Sequence, residues 1–243
     1  MDEKDSIIRY LEQDRIKNLS MIYFLRNNPV IFSRRIGDSV VLKGTSDQDW
    51  IFISCSQPEE LERILDSFKD DDRYFASLES WMLPYFKSRW KIEWILNANR
   101  YYLPDDISIE PPTGVTIRNL KASEAEYIYG YSEYQAYTSV DYLKMRIEQG
   151  LSAGIEENGQ LLAWVLTHDD SAIGTLHVLE CARRQGYASE LTQYMIYEIR
   201  RLAIIPFVQI ESKNNASIRL AQKLGFQFDR EVSWLAGSKI KRR

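Results

Sequence analysis

The chain has 243 residues, 44% of them hydrophobic and 12% aromatic, enough for one large domain or two modest ones with real cores. A net charge of −4 excludes an electrostatic case for nucleic-acid binding, and the composition excludes a disordered chain. No apolar run reaches the roughly 20 residues of a membrane span, and the charged start MDEKDSIIRYLEQDR lacks a signal-peptide core.

The two cysteines, Cys55 and Cys181, make no disulfide framework and suit a reducing, cytoplasmic setting. The basic end Lys239-Ile240-Lys241-Arg242-Arg243 reads as a solvated tail.

In chain order, Ile7, Ile8, Leu11 and Ile16 predict a first helix, and Met21 to Leu25 a second, closed at Asn28-Pro29. Three short β-rich runs come next: Val30 to Arg35, Ser39 to Lys43 and Trp50 to Cys55. Pro58 opens a helix from Glu59 to Phe68, broken by Asp70-Asp71-Asp72. Leu78, Trp81 and Met82 place another helix over Phe75 to Phe86. The segment Trp90 to Leu103 reads as one long strand. Its aromatics, with Trp81, are expected to fill a core rather than line a pocket.

Proline and glycine punctuate residues 103–114, which gives three parts. These are an N-terminal α+β domain over 1–106, a linker over 107–113 and a second domain over 114–243. The second domain begins with a strand, Val115 to Arg118. Ala122 to Tyr131 is a helix, with Ser123 as cap and Glu126 completing a capping box. A helix over Val140 to Gln149 is stopped by Gly150. Asn158-Gly159 joins strands 152–156 and 161–167 as a hairpin. A strand over 172–179 meets a helix over 188–202, with Gly186 in the joint. Phe207 to Glu211 is a strand, Ala216 to Leu224 a helix ended by Gly225, and 226–228 and 232–235 are two final strands.

The strand–joint–helix unit carries the chemistry. A helix that starts straight after a strand leaves its first N–H groups unpaired, and with the helix dipole these seat an anion. The joint reads Arg183-Arg184-Gln185-Gly186-Tyr187-Ala188, and further on stands Asn214-Asn215-Ala216-Ser217, leading to Lys223-Leu224-Gly225-Phe226. With the strand Leu176-His177-Val178-Leu179 before the joint, residues 114–236 resemble the GNAT superfamily of acyl-CoA N-acyltransferases. The run from Trp164 to Leu179 is also similar to the glycine N-acyltransferase-like branch.

That resemblance implies an α/β fold with a mixed, mostly antiparallel central sheet flanked by helices. It implies acetyl-CoA or another acyl-CoA as cosubstrate, and no metal. Backbone N–H groups from Arg184 to Ser189 (Arg184, Gln185, Gly186, Tyr187, Ala188, Ser189) would cradle the pyrophosphate, with Arg183 adding charge. Val178, beside His177, would bind the acyl carbonyl. Asn214 and Ser217 would contact the pantetheine arm or order its loop.

An amine with a lysine-like pKa of about 10.4 costs about 4 kcal/mol to neutralise near pH 7, so a base must take its proton. His177 is the first candidate base and Glu211 the second; Glu180 is a solvated loop carboxylate. The branch's glutamate base has Ala172 at its position, with Asp170 as a neighbouring carboxylate. The tyrosine acid of many GNAT enzymes has Ala221 at its position, leaving Tyr187 or Tyr194 as substitutes. Cys181 is a spectator thiol.

The expected activity is acyl transfer from acyl-CoA to a small amine or amino acid, by direct attack in a ternary complex. The expected protein is a monomer or homodimer with no nucleic-acid or membrane partner. The alternatives are a non-catalytic acyl-CoA-binding or sensing module, and a fold used only for protein contacts.

Overall fold

The computed structural model describes residues 3–240, so Lys241, Arg242 and Arg243 of the basic end lie outside the described residues. In chain order its elements are α1 (Glu3–Leu11), α2 (Leu19–Asn27), β1 (Val30–Ile36), β2 (Ser39–Thr45), β3 (Asp49–Ser54), α3 (Pro58–Ser67), β4 (Tyr74–Glu79), α4 (Leu83–Lys87) and β5 (Trp90–Tyr102). After these come β6 (Ile117–Arg118), α5 (Ala125–Gly130), α6 (Val140–Gln149), β7 (Ser152–Glu157), β8 (Gln160–Thr167), β9 (Ile173–Val178), α7 (Tyr187–Arg201), β10 (Phe207–Ile210), α8 (Asn215–Lys223) and β11 (Gln227–Lys239).

These elements divide into two compact units, one of residues 1–100 with 229–243 and one of residues 101–228. The expected linker, 107–113, packs onto the second unit. Arg200 on α7 donates to the carbonyls of Pro104 (2.7 Å) and Ile107 (2.5 Å), and Ile107 and Ile109 pack against that unit's core. Residues 229–240 belong to the first unit, although the sequence places them in the second domain.

In the first unit the strands run β1-β2-β3-β4-β11-β5. β1, β2 and β3 form an antiparallel meander, β4 is parallel to β3, and β11 is antiparallel to β4. The core is aromatic: Phe75 lies 4.7 Å from Phe86 and 5.4 Å from Trp90, ring centre to ring centre. Arg100, only 1% exposed, reaches from β5 to Asp229 at 2.6 Å and donates to the carbonyls of Ile16 and Lys17. One guanidinium thus ties β5, β11 and the α1–α2 connection together.

The helix expected over 75–86 is instead strand β4, a turn of 3-10 helix at Ser80–Met82 and the short α4. Leu78, Trp81 and Met82 have helical spacing, yet Leu78 is buried through strand pairing with Ser233 on β11. The two final strands expected near 226 and 232 are one strand of 13 residues. The first helix ends at Leu11, short of Ile16.

In the second unit the strands run β6-β7-β8-β9-β10, all antiparallel neighbours except the parallel pair β9 and β10. Helix α7 buries Leu191, Met195, Ile196 and Ile199 at helical spacing, as its sequence dictates. The hairpin at Asn158-Gly159 has positive φ at both residues, 52° and 79°, as a tight primed turn requires. Gly225 caps α8 in the left-handed region at φ 89°. The opening strand is only Ile117–Arg118, and Ser123 does not cap the next helix. Glu124 instead accepts from the Lys121 N–H at 2.7 Å and is held by Arg118 at 2.6 Å.

Breaking the buried pair in the first unit leaves the Arg100 guanidinium without its carboxylate. Asp229→Ala is expected to destabilise the protein by about 3–5 kcal/mol, read as a lower urea midpoint. An unchanged midpoint would show that the carbonyls alone hold the guanidinium.

Candidate active site

Strand β9 is irregular for a physical reason. Its pairing with β8 gains an extra residue between Leu166↔Gly174 and Trp164↔His177, and Thr175 takes φ 52° there. A left-handed non-glycine residue inside a strand marks a bulge that re-aims the residues after it. Gly174 next to it has no room for a side chain: a Cβ would sit 2.0 Å from His168 Nε2. His168 packs there, its Nδ1 3.3 Å from the Tyr142 hydroxyl.

β9 and β10 are paired at one position only, Val208↔Ile173. Beyond it the two parallel strands part, and residues 174–178 are half-buried although β9 lies inside the sheet. Leu179 donates to the Leu162 carbonyl at 2.8 Å, so Leu179 is a hydrogen-bonded position of the β8–β9 ladder. Antiparallel alternation then makes Val178↔Ala163 a non-hydrogen-bonded pair. The N–H and C=O of Val178 therefore point away from β8, toward the side that β10 has left. On that side Arg183 Nε lies 3.4 Å from the Val178 oxygen.

The joint to α7 keeps its donors outward. Arg184 has φ 68° and Gly186, the helix N-cap, has φ 88°. Arg183, Arg184, Gln185 and Gly186 are exposed, Ala188 and Ser189 half-buried, and nothing lies within 4 Å of a Cβ built on Gly186. Gly186 O receives the N–H groups of Ser189 and Glu190 at 2.9 and 3.1 Å, so the helix winds from the first turn. The Tyr187 hydroxyl is engaged by Glu157 of the hairpin, which raises its pKa. Asn214 caps α8, its side chain accepting from the Ser217 N–H at 3.1 Å. That is the cap geometry that Asn favours.

His177 stacks on Trp164, the cross-strand residue, at 4.7 Å and 18°, and Tyr131 packs against both rings, at 5.5 and 5.7 Å. Burial, with Arg183 nearby, lowers its pKa below 6.5. The imidazole is thus neutral at pH 7 and free to accept a proton. Glu211, just past β10, is held differently. The Tyr134 hydroxyl hydrogen-bonds to it, Lys213 lies at 3.0 Å, and both hold its carboxyl below the usual carboxylate range. Burial and Glu211 push the Tyr134 phenol up. Tyr134 and Tyr131 come from the α5–α6 connection, which no sequence signal marked beyond its crowding of tyrosines.

The other candidates lie elsewhere around the gap or away from it. Ala172 is fully buried, and Asp170, 3% exposed, is bound by Gln209 of β10 at 3.0 Å and by the Ala172 N–H. It lies at the closed end of the gap. Ala221 is buried in α8, Tyr194 is half-buried on α7, and Glu180 and Cys181 are exposed. Among the described residues no cluster of His, Cys, Asp and Glu could hold a metal ion, and no helix is long and apolar enough to cross a membrane.

Parallel strands that part beside a helix N-terminus define a GNAT fold, and the comparisons with solved structures agree. A Drosophila protein from a structural genomics consortium overlays with TM-score 0.82 at 19% identity, over 97% of this chain and 95% of that one. A GCN5-related N-acetyltransferase from Kribbella flavida overlays with TM-score 0.59 at 18% identity, over 91% and 94%. A tandem GNAT protein from the clavulanic acid biosynthesis pathway overlays with TM-score 0.51 at 14% identity, over 93% and 89%. The sequence profile of the FR47-like protein family matches residues 149–235, from the end of α6 into β11. No curated protein sequence matches the chain.

Removing the Tyr134 hydroxyl tests the hold on Glu211. In Tyr134→Phe the Glu211 carboxyl is expected to titrate at higher pH than in the wild type, followed by carbon-13 NMR of the side chain. Identical titration curves would show that Lys213 alone sets it.

Proposed function

We propose that the chain is an N-acyltransferase that moves an acyl group, most simply acetyl, from acyl-CoA to the amine of a small molecule or amino acid. The observation that carries this reading is the gap beyond Ile173, with the Val178 backbone turned into it and the exposed joint before α7 at its mouth.

In this reading the N–H groups of Arg184 to Ala188 take the pyrophosphate, with Arg183 and Arg184 adding charge; the Ser189 N–H, expected among them, is already given to the Gly186 carbonyl. The Val178 N–H donates to the thioester oxygen as negative charge builds on it, which is where a fixed donor lowers the barrier. The amine attacks the thioester carbon, the C–N bond forms, the C–S bond breaks and CoA leaves as its thiolate. The proton lost by the amine goes to His177, whose low pKa keeps it ready as an acceptor. Glu211 is already tied to Tyr134 and Lys213, which suits holding the acceptor more than taking its proton. Holding amine and thioester together supplies up to about 7–11 kcal/mol, so positioning carries much of the rate.

The first unit, ahead of this fold, supports the glycine N-acyltransferase-like branch as the narrower assignment. Buried Ala172 speaks against a shared glutamate base. Cys181, exposed and free, suits a reducing cytoplasm. A second reading, an acyl-CoA-binding or sensing module, is favoured by the buried alanines at 172 and 221, which supply neither base nor acid.

Thiol release from acetyl-CoA with a panel of amines and amino acids separates the two. The enzyme reading expects turnover, and His177→Ala is expected to cut kcat/KM roughly 10²–10⁴-fold. In the wild type, kcat/KM is expected to fall as pH drops through a value below 6.5, because a protonated imidazole cannot accept. His177→Ala should lose that limb. Tight acetyl-CoA binding without turnover on any acceptor would sink the enzyme reading and leave the sensing module.

A further inference from the structure

The two units repeat one pattern of elements. In the first, helices α1 and α2 precede the antiparallel strands β1, β2 and β3; then come α3, the strand β4 parallel to β3, the short α4 and a long strand. In the second, after the short extra strand β6, helices α5 and α6 precede β7, β8 and β9; then come α7, the strand β10 parallel to β9 and α8, followed in the chain by the long β11, which from Asp229 on belongs to the first unit. Sheet order agrees as well: β1-β2-β3-β4 matches β7-β8-β9-β10.

The likeness extends to the early end of the parallel pairing. β3 and β4 pair at Trp50↔Tyr74, Ile51↔Phe75 and Phe52↔Ala76, then stop. The next residue, Ser77, has φ 53°, and the pairing of β4 with β11 gains a residue there. Here too the parallel strands part beside a bulge, although it sits on β4, the counterpart of β10, whereas in the second unit it sits on β9. A cavity of ≈ 20 Å³ lies in the resulting gap, lined by Ile53 and Ser54 on one strand and Ser77 and Glu79 on the other. Glu79 ends β4 as Glu211 follows β10.

The anion seat is what differs. Between β3 and α3 stand only residues 55–57, where the second unit has residues 179–186. The residue before α3, Gln57, is extended (φ −121°), where Gly186 is left-handed. Pro58 at the first helical position has no N–H to offer. Glu59 and Glu60 stand in the first turn, where they repel a second anion. Lys17 closes the joint from above, its ammonium on the Cys55 carbonyl at 3.2 Å and on the Ser56 hydroxyl. Lys17 (3.9 Å) and Arg230 (3.2 Å) both pair with Glu79 across the gap. The cavity between Ile53, Ser54, Ser77 and Glu79 holds about one water, far too little for a pantetheine arm.

We infer that the first unit is a second copy of the same fold whose cofactor seat has been closed, so that the chain binds one acyl-CoA, before α7, and none before α3. The inference rests on the acyltransferase reading for the site that stays open.

Calorimetric titration of the full chain with acetyl-CoA tests both. One molecule per chain is expected. Gly186→Asp, which adds a carboxylate where the pyrophosphate sits, is expected to abolish binding while far-UV circular dichroism stays native. Lys17→Met, in the closed copy, should keep one site with a Kd within about twofold of the wild type. Two sites per chain, or one site that survives Gly186→Asp and is lost in Lys17→Met, would overturn the closed-seat inference and leave the acyl-CoA chemistry standing. No binding to the native wild type would sink the acyl-CoA reading and the count of one with it.

Discussion

Backbone N–H and C=O groups inside a sheet need partners, and two parallel strands that separate leave theirs open between them. In the second unit this happens after one paired position, Val208↔Ile173. The rest of the site depends on it. The bulge at Thr175 turns β9, glycine at 174 makes space for the His168 ring, and the Val178 amide is left facing the gap. A left-handed threonine costs about 1–3 kcal/mol, which the packed strands on either side must sustain. Such strain belongs where a ligand is to be met by backbone rather than by side chains.

The titratable groups around the gap are sorted by environment. His177, packed against the rings of Trp164 and Tyr131, loses solvent, which disfavours its charged form. Glu211, within reach of a phenol and an ammonium, keeps its charge. Environment thus shifts an imidazole toward its neutral form and a carboxyl toward its charged form. That division is the usual route by which one site carries out proton transfer and electrostatic binding at the same pH.

Much of this was legible in the amino-acid sequence where local chemistry decides structure. The Asn158-Gly159 turn, the amphipathic face of α7 and the glycine after α8 each needed only a few neighbouring residues. The segment at 75–86 did not yield, because Leu78, Trp81 and Met82 satisfy a helical period by coincidence. Its strand half is fixed by β11, more than 150 residues later, and no local pattern records that pairing. The α5–α6 connection was opaque for a related reason. Tyr134 is one of several exposed or half-buried tyrosines in the sequence there, and only the fold brings it to Glu211. The repeat of the fold was invisible too. Both copies keep the parting strands, while the loop residues that would betray kinship are the ones replaced.

The return of β11 to the first unit has a consequence for how the protein is made. β11 lies between β4 and β5 in that unit's sheet, so the two earlier strands cannot be joined there until the last residues of the chain arrive. During synthesis, at about 5–20 residues per second, residues 1–100 wait with two unpaired strand edges while the whole second unit is translated. Pairings so distant in the chain carry a large loop-closure entropy and form slowly. The first part of the chain to emerge is thus the last to be completed.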